Sequence, residues 1–215
     1  MRISRIYILI ISIMVLVVCG LLGCKKEEAS QKTDSSLEAP ITTGYESALT
    51  AHVTKPIFRP SGTGPAVWGP GDIYTFLATG EETNNVFFQF EAIVPAGGGP
   101  PPHIHSYEDE SFYIVSGSLE ILLEDTLYQA KQGDFVYIPR GVVHRFKNVG
   151  KETSVQLITF VPGNVEKFFR EAFPPVTDRS ATPPPITEAS TQKLLEVGAK
   201  YGLKFIPSPP DTTKH

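Results

Sequence analysis

Residues 97–117 read GGGPPPHIHSYEDESFYIVSG, and the predicted fold is organised around this stretch. The Gly-Pro run leads into a predicted strand that carries His103 and His105. Alternate residues of a strand point to the same face, so these two imidazoles lie side by side, about 6–7 Å apart along the chain. Glu110 follows five residues later, after a polar bend. Two imidazoles and a carboxylate directed at one point are ligands typical of a divalent transition metal.

A second stretch, GDFVYIPRGVVHRFKN at residues 133–148, supplies another histidine. A His-x-His pair alone is more often solvated or hydrogen-bonded than metal-bound. His144, however, comes just after a Pro-Arg-Gly turn, where a following strand is predicted to begin. Three of the five histidines of the chain fall in these two stretches. The second stretch therefore shifts the balance towards a metal site.

Both stretches resemble the signature motifs of the cupin family. The first motif is Gly, five residues, His-x-His, three or four residues, Glu, six residues, Gly, and it is matched at Gly97, His103, His105, Glu110 and Gly117. The second motif is Gly, five residues, Pro-x-Gly, two residues, His, three residues, Asn, and it is matched at Gly133, Pro139, Gly141, His144 and Asn148. The resemblance covers roughly residues 65–162. It implies an all-β jelly-roll β-barrel and a metal site with His103, His105, Glu110 and His144 as ligands.

The surrounding sequence predicts short strands separated by Gly, Pro and Asn turns. The predicted strands are residues 73–78, 86–94, 111–116, 119–123, 135–138, 144–147 and 155–161, in addition to the one that carries His103 and His105, whereas residues 60–71 are predicted to form a loop. Helical patterns come only afterwards, at residues 164–173 and 188–201, and the apolar residues 203–206 are expected to pack on the barrel exterior. Residues 56–206 are thus predicted to form one domain with short C-terminal helices, followed by a disordered tail at 207–215.

The beginning of the chain has the pattern of a targeting segment. Arg2 and Arg5 precede an apolar run that ends in Leu21-Leu22-Gly23-Cys24. This pattern resembles the signal peptide of bacterial lipoproteins, in which residues 1–23 would be removed and Cys24 would carry the lipid. The alternative is an uncleaved membrane helix, although the run is shorter than the about 20 residues that a spanning helix normally needs. The resemblance implies a lipid-anchored protein of the bacterial cell envelope, at the outer membrane or cell surface, with its folded domain outside the cytoplasm.

Composition limits the partners of the chain. Residues 24–55 are polar and without periodicity, which predicts a flexible tether between the lipid and the folded domain. The net charge is −4 and no basic stripe is present, which argues against nucleic acid as a partner. Cys19 would leave with the signal peptide, so no disulfide is expected in the mature chain. Cupin relatives commonly pair through an outer sheet edge, and we expect a homodimer.

The segments WGPGDIYTFLATGEET and YGLKFIP extend the resemblance to single-domain bacterial cupins that are often grouped with quercetin 2,3-dioxygenase. This resemblance implies a metal-dependent dioxygenase acting on a small phenolic or enolic compound, with Glu110 as the group that accepts the substrate proton. Two alternatives stay open: a metal-dependent isomerase or lyase of a small oxygenated compound, and a non-enzymatic cupin that binds or senses a small molecule. Iron, manganese, nickel, cobalt, copper and zinc all suit imidazole and carboxylate ligands.

Several other side chains are candidates for the same site. The candidate walls of an apolar substrate pocket are Phe90, Phe112, Tyr137 and Phe146, for which ordinary barrel core is the alternative. Glu108 and Asp109 are interpreted as solvated bend residues, or as ligands if the register shifts. Arg140 and Arg145 flank His144, and each is interpreted as a solvated side chain or as a partner for an anionic substrate group.

Replacement of Cys24 by serine tests the lipoprotein prediction. Because the lipid would be attached through the cysteine sulfur, we expect Cys24→Ser to abolish lipid labelling and to leave an unprocessed precursor. Fatty-acid labelling and immunoblotting of membrane fractions measure both effects. Cys19→Ser, in the same apolar run, is the matched control and is expected to be processed normally. Normal processing and membrane retention of Cys24→Ser would rule out the prediction.

Overall fold

The computed structural model describes residues 55–206. The predicted signal peptide, Cys24, the tether up to residue 54 and the tail at 207–215 lie outside these residues. Across residues 55–206, no helix is both long and apolar enough to cross a membrane.

Eleven strands and two α-helices follow one another within residues 55–206. The strands are β1 Ala66–Trp68, β2 Ile73–Ala78, β3 Phe88–Val94, β4 His103–His105, β5 Asp109–Ser116, β6 Ser118–Leu123, β7 Thr126–Lys131, β8 Phe135–Ile138, β9 His144–Lys147, β10 Ser154–Val161 and β11 Leu203–Phe205. A short 3-10 helix, Gly163–Val165, leads into α1, Glu166–Ala172, and α2 spans Glu188–Lys200. Helix α2 begins with a capping box in which the Thr187 hydroxyl accepts from the Ser190 amide.

The strands form two antiparallel sheets. The six-stranded sheet has the order β1-β2-β3-β10-β5-β8, and the five-stranded sheet has the order β11-β4-β9-β6-β7. Chain neighbours β4 and β5 lie in different sheets, as do β7 and β8, so the chain winds between the two layers. This is the predicted all-β jelly roll, and the fold prediction is confirmed.

The core lies between the sheets because each long strand alternates its buried side chains. Along β3 the buried residues are Phe88, Phe90, Ala92 and Val94, and along β10 they are Ser154, Gln156, Ile158 and Phe160. Helix α1 adds Phe168 and Phe169, whose rings lie 5.1 Å apart, to this aromatic core. Burial of large aromatic side chains on both layers provides the main stabilisation of the fold.

Three strands, β1, β7 and β11, were not predicted. Residues 66–68 pair with β2 although a loop was expected there, and their burial comes from this tertiary pairing. Strand β7 has one buried residue, Ala130, and therefore lacks the alternation by which strands are recognised. It forms because Glu124, with φ of 53°, closes a tight hairpin onto β6.

The C-terminal segment takes a different position from the expected one. Residues 203–206 were expected on the barrel exterior, but β11 pairs with β4 and becomes the edge of the five-stranded sheet. Leu203 is 3% exposed and lies opposite His105 in the pairing register. The turn at Gly202, with φ of +80°, returns the chain from α2 to this edge.

The glycine run before β4 fastens the first motif to the second. The Gly97 amide donates to the Asn148 carbonyl at 2.8 Å, and the Asn148 amide donates to the Gly98 carbonyl at 2.9 Å. Gly99 has φ of +122°, and a Cβ there would overlap the carbonyl oxygen of Phe146 in β9. The absence of a side chain at Gly99 therefore lets the two backbones approach closely.

Gly99→Ala tests this close approach. The added methyl group would meet backbone of β9 at a strained φ, so we expect the free energy of unfolding to fall by about 3 kcal/mol. Gly97→Ala is the matched control, since Gly97 has φ of +80° and nothing within 4 Å of its Cβ position. The free energy of unfolding of Gly97→Ala is expected to fall by only about 1 kcal/mol. Guanidinium unfolding of the two variants measures the difference, and equal losses would contradict the proposed contact.

Candidate metal centre

Two neighbouring strands and one strand of the opposite sheet bring the four predicted ligands together. His103 and His105 lie on the inward face of β4, and β9 pairs with β4 so that His103 is opposite His144. Strand β5 contributes Glu110 from the six-stranded sheet. The four side chains each offer a ligand atom within 4.8 Å of the others, and none is more than 7% exposed.

This donor set fits a divalent transition metal. Ligands about 2.1 Å from an ion lie about 3.0–4.2 Å apart, depending on the angle between them, so atoms that lie within 4.8 Å of one another reach such an arrangement by side-chain shifts of about 1 Å. Three imidazoles and one carboxylate match the preferences of several first-row metals. The barrel interior therefore contains four buried side chains that could bind a metal ion together.

Backbone carbonyls orient two of the three imidazoles. Nδ1 of His103 donates to the carbonyl oxygen of Pro101 at 2.9 Å, and Nδ1 of His144 donates to that of Val142 at 3.0 Å. A carbonyl only accepts, so Nδ1 carries the proton in both rings. Their Nε2 atoms are thereby left as the metal-binding positions.

Glu110 lies among these Nε2 atoms. Its Oε2 is 2.7 Å from Nε2 of His144 and 3.5 Å from Nε2 of His105. Burial acts to lower the pKa of His144, but the charge of Glu110 and its hydrogen bond outweigh burial and raise the pKa. Metal binding at this position requires the loss of the proton that His144 and Glu110 share.

The environment of His103 keeps its imidazole neutral. Burial lowers its pKa well below the usual value, and the neighbouring His144 and His105 lower it further. A neutral imidazole is the form that binds a metal, so His103 needs no deprotonation.

A small apolar cavity adjoins three of the four residues. Its lining residues include Tyr74, Phe90, Phe146, Phe160, Phe169 and Leu203, together with His103, His105 and Glu110. The cavity has a volume of about 40 Å³, counted as the space open to the centres of water molecules. This is room for about three waters. Most of its wall is aromatic, so a ligand held there would be shielded from bulk water.

The four predicted pocket residues lie in different places in the structure. Phe90 and Phe146 line the cavity. Phe112 is buried behind the site, with its ring 6.3 Å from His144 and 5.7 Å from Phe146. The prediction for Tyr137 is wrong, because Tyr137 is 56% exposed on the outer face of β8 while Ile138 points inwards. Alternation along a four-residue strand does not itself reveal which face is the inner one.

Sequence reasoning missed a polar pair at the cavity. The Tyr74 hydroxyl donates to Oδ2 of Asp72 at 3.1 Å, and both residues are buried. Burial raises the pKa of Asp72 to about 7, against the lowering effects of the Tyr74 hydroxyl and the Gly99 amide. The available signal was a tyrosine in a predicted strand, two residues after an aspartate that follows a Gly-Pro-Gly sequence. Only the tertiary structure brings this pair next to the metal ligands.

The charged residues near the motifs are not simply solvated. Glu108 is 3% exposed, so its interpretation as a solvated bend residue is wrong. Asp109 accepts from the Arg140 side chain at 2.9 Å, and the hydrogen bonds from Arg140 lower the pKa of Asp109 to about 2. Arg145 donates to Glu120 at 2.7 Å. Both arginines are therefore paired with carboxylates of the protein itself.

Comparison with known proteins agrees with this architecture. Residues 90–161 match the family described as Cupin domain. The chain is 27% identical over 115 residues to quercetin 2,3-dioxygenase of Bacillus subtilis, which covers 54% of this chain and 34% of that protein. It is 31% identical over 113 residues to germin-like protein subfamily 2 member 2 of Arabidopsis thaliana, with 48% of each covered. The chain thus spans between about a third and a half of the length of these two relatives.

A solved structure gives a partial superposition. KdgF from Halomonas sp. superposes with a TM-score of 0.47 at 20% identity, covering 53% of this chain and 99% of that one. The sheet order, the two motifs and the match over residues 90–161 agree with one another. The described residues therefore have the cupin jelly-roll fold, and residues 90–161 within them match the family described as Cupin domain.

Proposed function

We propose that the chain binds one divalent transition metal through His103, His105, Glu110 and His144. We further propose that it is a metal-dependent oxidoreductase, a dioxygenase of a small phenolic or enolic compound. The observation that carries this proposal is the buried set of four ligands beside an aromatic cavity. Four protein ligands leave positions open on a six-coordinate metal, as in reactive rather than purely structural sites.

The residues around the ligands suit an oxygenated aromatic substrate. A bound metal would supply Lewis-acid stabilisation of an enolate oxygen and, if redox-active, a means of activating dioxygen. Glu110 is the carboxylate positioned to accept the substrate proton. The Tyr74 hydroxyl is a polar group on the cavity wall; because it donates its proton to Asp72, its oxygen can accept a hydrogen bond from a substrate hydroxyl. Aromatic walls would exclude water and pack against a planar substrate.

The size of the cavity favours a small substrate. Space for about three waters is far less than a flavonol needs. The similarity to the Bacillus subtilis quercetin 2,3-dioxygenase therefore supports the reaction class rather than that substrate. A larger compound would require Phe169 of α1 or Leu203 of β11 to move away from the metal ligands.

A metal-dependent isomerase or lyase is the second candidate function. Tyr74 on the cavity wall, hydrogen-bonded to the buried Asp72, favours it, since this pair and Glu110 are two separate acid–base groups that can move a proton within a substrate without dioxygen. The third candidate function is a cupin that only binds or senses a small molecule. Stabilisation of the protein by a ligand, without turnover of that ligand, would identify it.

We also propose that the chain carries a lipid at Cys24 and that it forms a homodimer. Strand β8 is an edge of the six-stranded sheet, and its Phe135 and Tyr137 are 65% and 56% exposed. Exposed aromatic side chains on an edge strand favour pairing with a second copy.

His144→Ala tests the metal site. The variant loses one of four ligands, so we expect metal affinity to fall by orders of magnitude and the metal-dependent rise in melting temperature to disappear. Metal analysis of the purified full chain, with thermal melting before and after chelation, measures both. His52→Ala lies outside the two motifs, and is expected to behave as the wild type. Undiminished metal in His144→Ala would show that the four-ligand site is wrong.

Oxygen consumption tests the proposed reaction class. Wild-type protein loaded separately with iron, manganese, nickel, cobalt or copper is expected to consume dioxygen with at least one member of a panel of small phenols and enols. Glu110→Gln is expected to slow turnover by about 100-fold or more, because the neutral amide is a poor base. Glu152→Gln, on the exposed surface, is the matched control. Turnover of the panel without oxygen would instead support an isomerase or lyase.

A further inference from the structure

The three imidazoles of the site differ in what their outer nitrogens face. Nδ1 of His103 and Nδ1 of His144 donate to backbone carbonyls. Nδ1 of His105 faces a carboxylate instead, at 3.7 Å from Oε2 of Glu108. Both of these atoms are buried, and neither has a hydrogen-bond partner among residues 55–206.

Two buried polar atoms without partners are costly to the fold, and the cost is greater for a carboxylate. These two atoms are complementary, because an imidazole N–H donates and a carboxylate oxygen accepts. Their separation exceeds a normal hydrogen bond by about 0.7 Å. A small rotation of either side chain closes such a gap.

Metal binding determines which way this hydrogen bond points. Nε2 of His105 is directed towards Glu110, so it is the atom available to a metal ion. A neutral imidazole that presents its Nε2 lone pair must carry its proton on Nδ1. That proton then points at Glu108, where an ionised acceptor makes a stronger bond than a carbonyl does.

We propose that Glu108 is a positioning residue of the metal site, whose carboxylate accepts a hydrogen bond from Nδ1–H of His105 and thereby strengthens metal binding. The inference rests on the proposed metal site and adds a residue outside its ligand set. An acceptor of this kind fixes the ring orientation and makes Nε2 a better donor to the metal. Together with Glu110, it also places two carboxylates around a divalent ion, which balances the charge inside an apolar barrel.

Glu108→Gln tests the proposal with little change in side-chain volume. Competition between the full chain and a chromophoric chelator for zinc measures the affinity. We expect Glu108→Gln to lower affinity about 10–100-fold, and Glu108→Ala to lower it at least as much. Asp109→Asn is the matched control, since it removes the same charge one residue away from a side chain that pairs with Arg140. It is expected to bind zinc within about twofold of wild type.

Proton NMR of the cobalt-loaded protein distinguishes a positioning role of Glu108 from a general loss of fold or charge. In the cobalt(II)-loaded wild type, the three ring N–H protons should give three slowly exchanging, hyperfine-shifted resonances. Glu108→Gln should shift one of them, assigned to His105 by selective labelling, and leave those of His103 and His144 in place. The melting temperature of the metal-free variant should stay close to that of wild type, which would show that a lower zinc affinity does not come from a loss of fold.

The possible outcomes separate this proposal from the proposed function. Three results would overturn the role of Glu108 and leave the four-ligand site intact. The first is a wild-type zinc affinity in Glu108→Gln, and the second is a loss of zinc affinity in Asp109→Asn equal to that in Glu108→Gln. The third is a cobalt spectrum of the wild type that lacks the His105 N–H resonance. Metal binding with the expected Glu108 effect, but without turnover of any substrate, overturns the proposed reaction and supports the positioning role. A wild-type chain that binds no metal overturns both.

Discussion

The pairing of β4 with β9 is the contact on which the site depends. It sets His103 opposite His144, residues that are 41 positions apart in sequence, and so joins the two motifs into one ligand set. The pairing is short, and neighbouring segments support it. The glycine run at 97–99 bonds to Asn148 beyond β9, and the Gly141 amide donates to the His105 carbonyl at 2.8 Å. Loss of these backbone contacts would separate the histidines even if every ligand were retained.

Burial of four ionisable side chains in one place opposes folding, and the structure reduces this cost by local pairing. Carbonyls accept from two imidazoles, and Glu110 lies against His144 at 2.7 Å. The arrangement suits a cation, because the donor atoms converge while the outer nitrogens are directed away. The same low-dielectric surroundings that make these charges costly would strengthen their attraction to a metal.

The C-terminal segment determines how much space lies beside the ligands. Helix α1 inserts Phe169 into the aromatic cluster, where its ring is 5.0 Å from Phe90, and β11 closes the other side with Leu203. A jelly roll without this segment would have a wider opening at the metal end. The size of the cavity is therefore set by residues well beyond the two motifs, which agrees with the general rule that one fold can accommodate many different sites.

The sequence by itself determined the ligand types, their spacing and most of the strands. Strands Ile73–Ala78, Phe135–Ile138 and His144–Lys147 have the predicted bounds, because alternation and turn residues are local signals. Tertiary structure decided which face of each strand became the inner one, and so placed Tyr137 outside and Tyr74 beside the ligands. It also buried Glu108 against His105 and moved β11 from the exterior to a sheet edge. These features arise from pairings between distant strands, which periodicity within a single segment cannot encode.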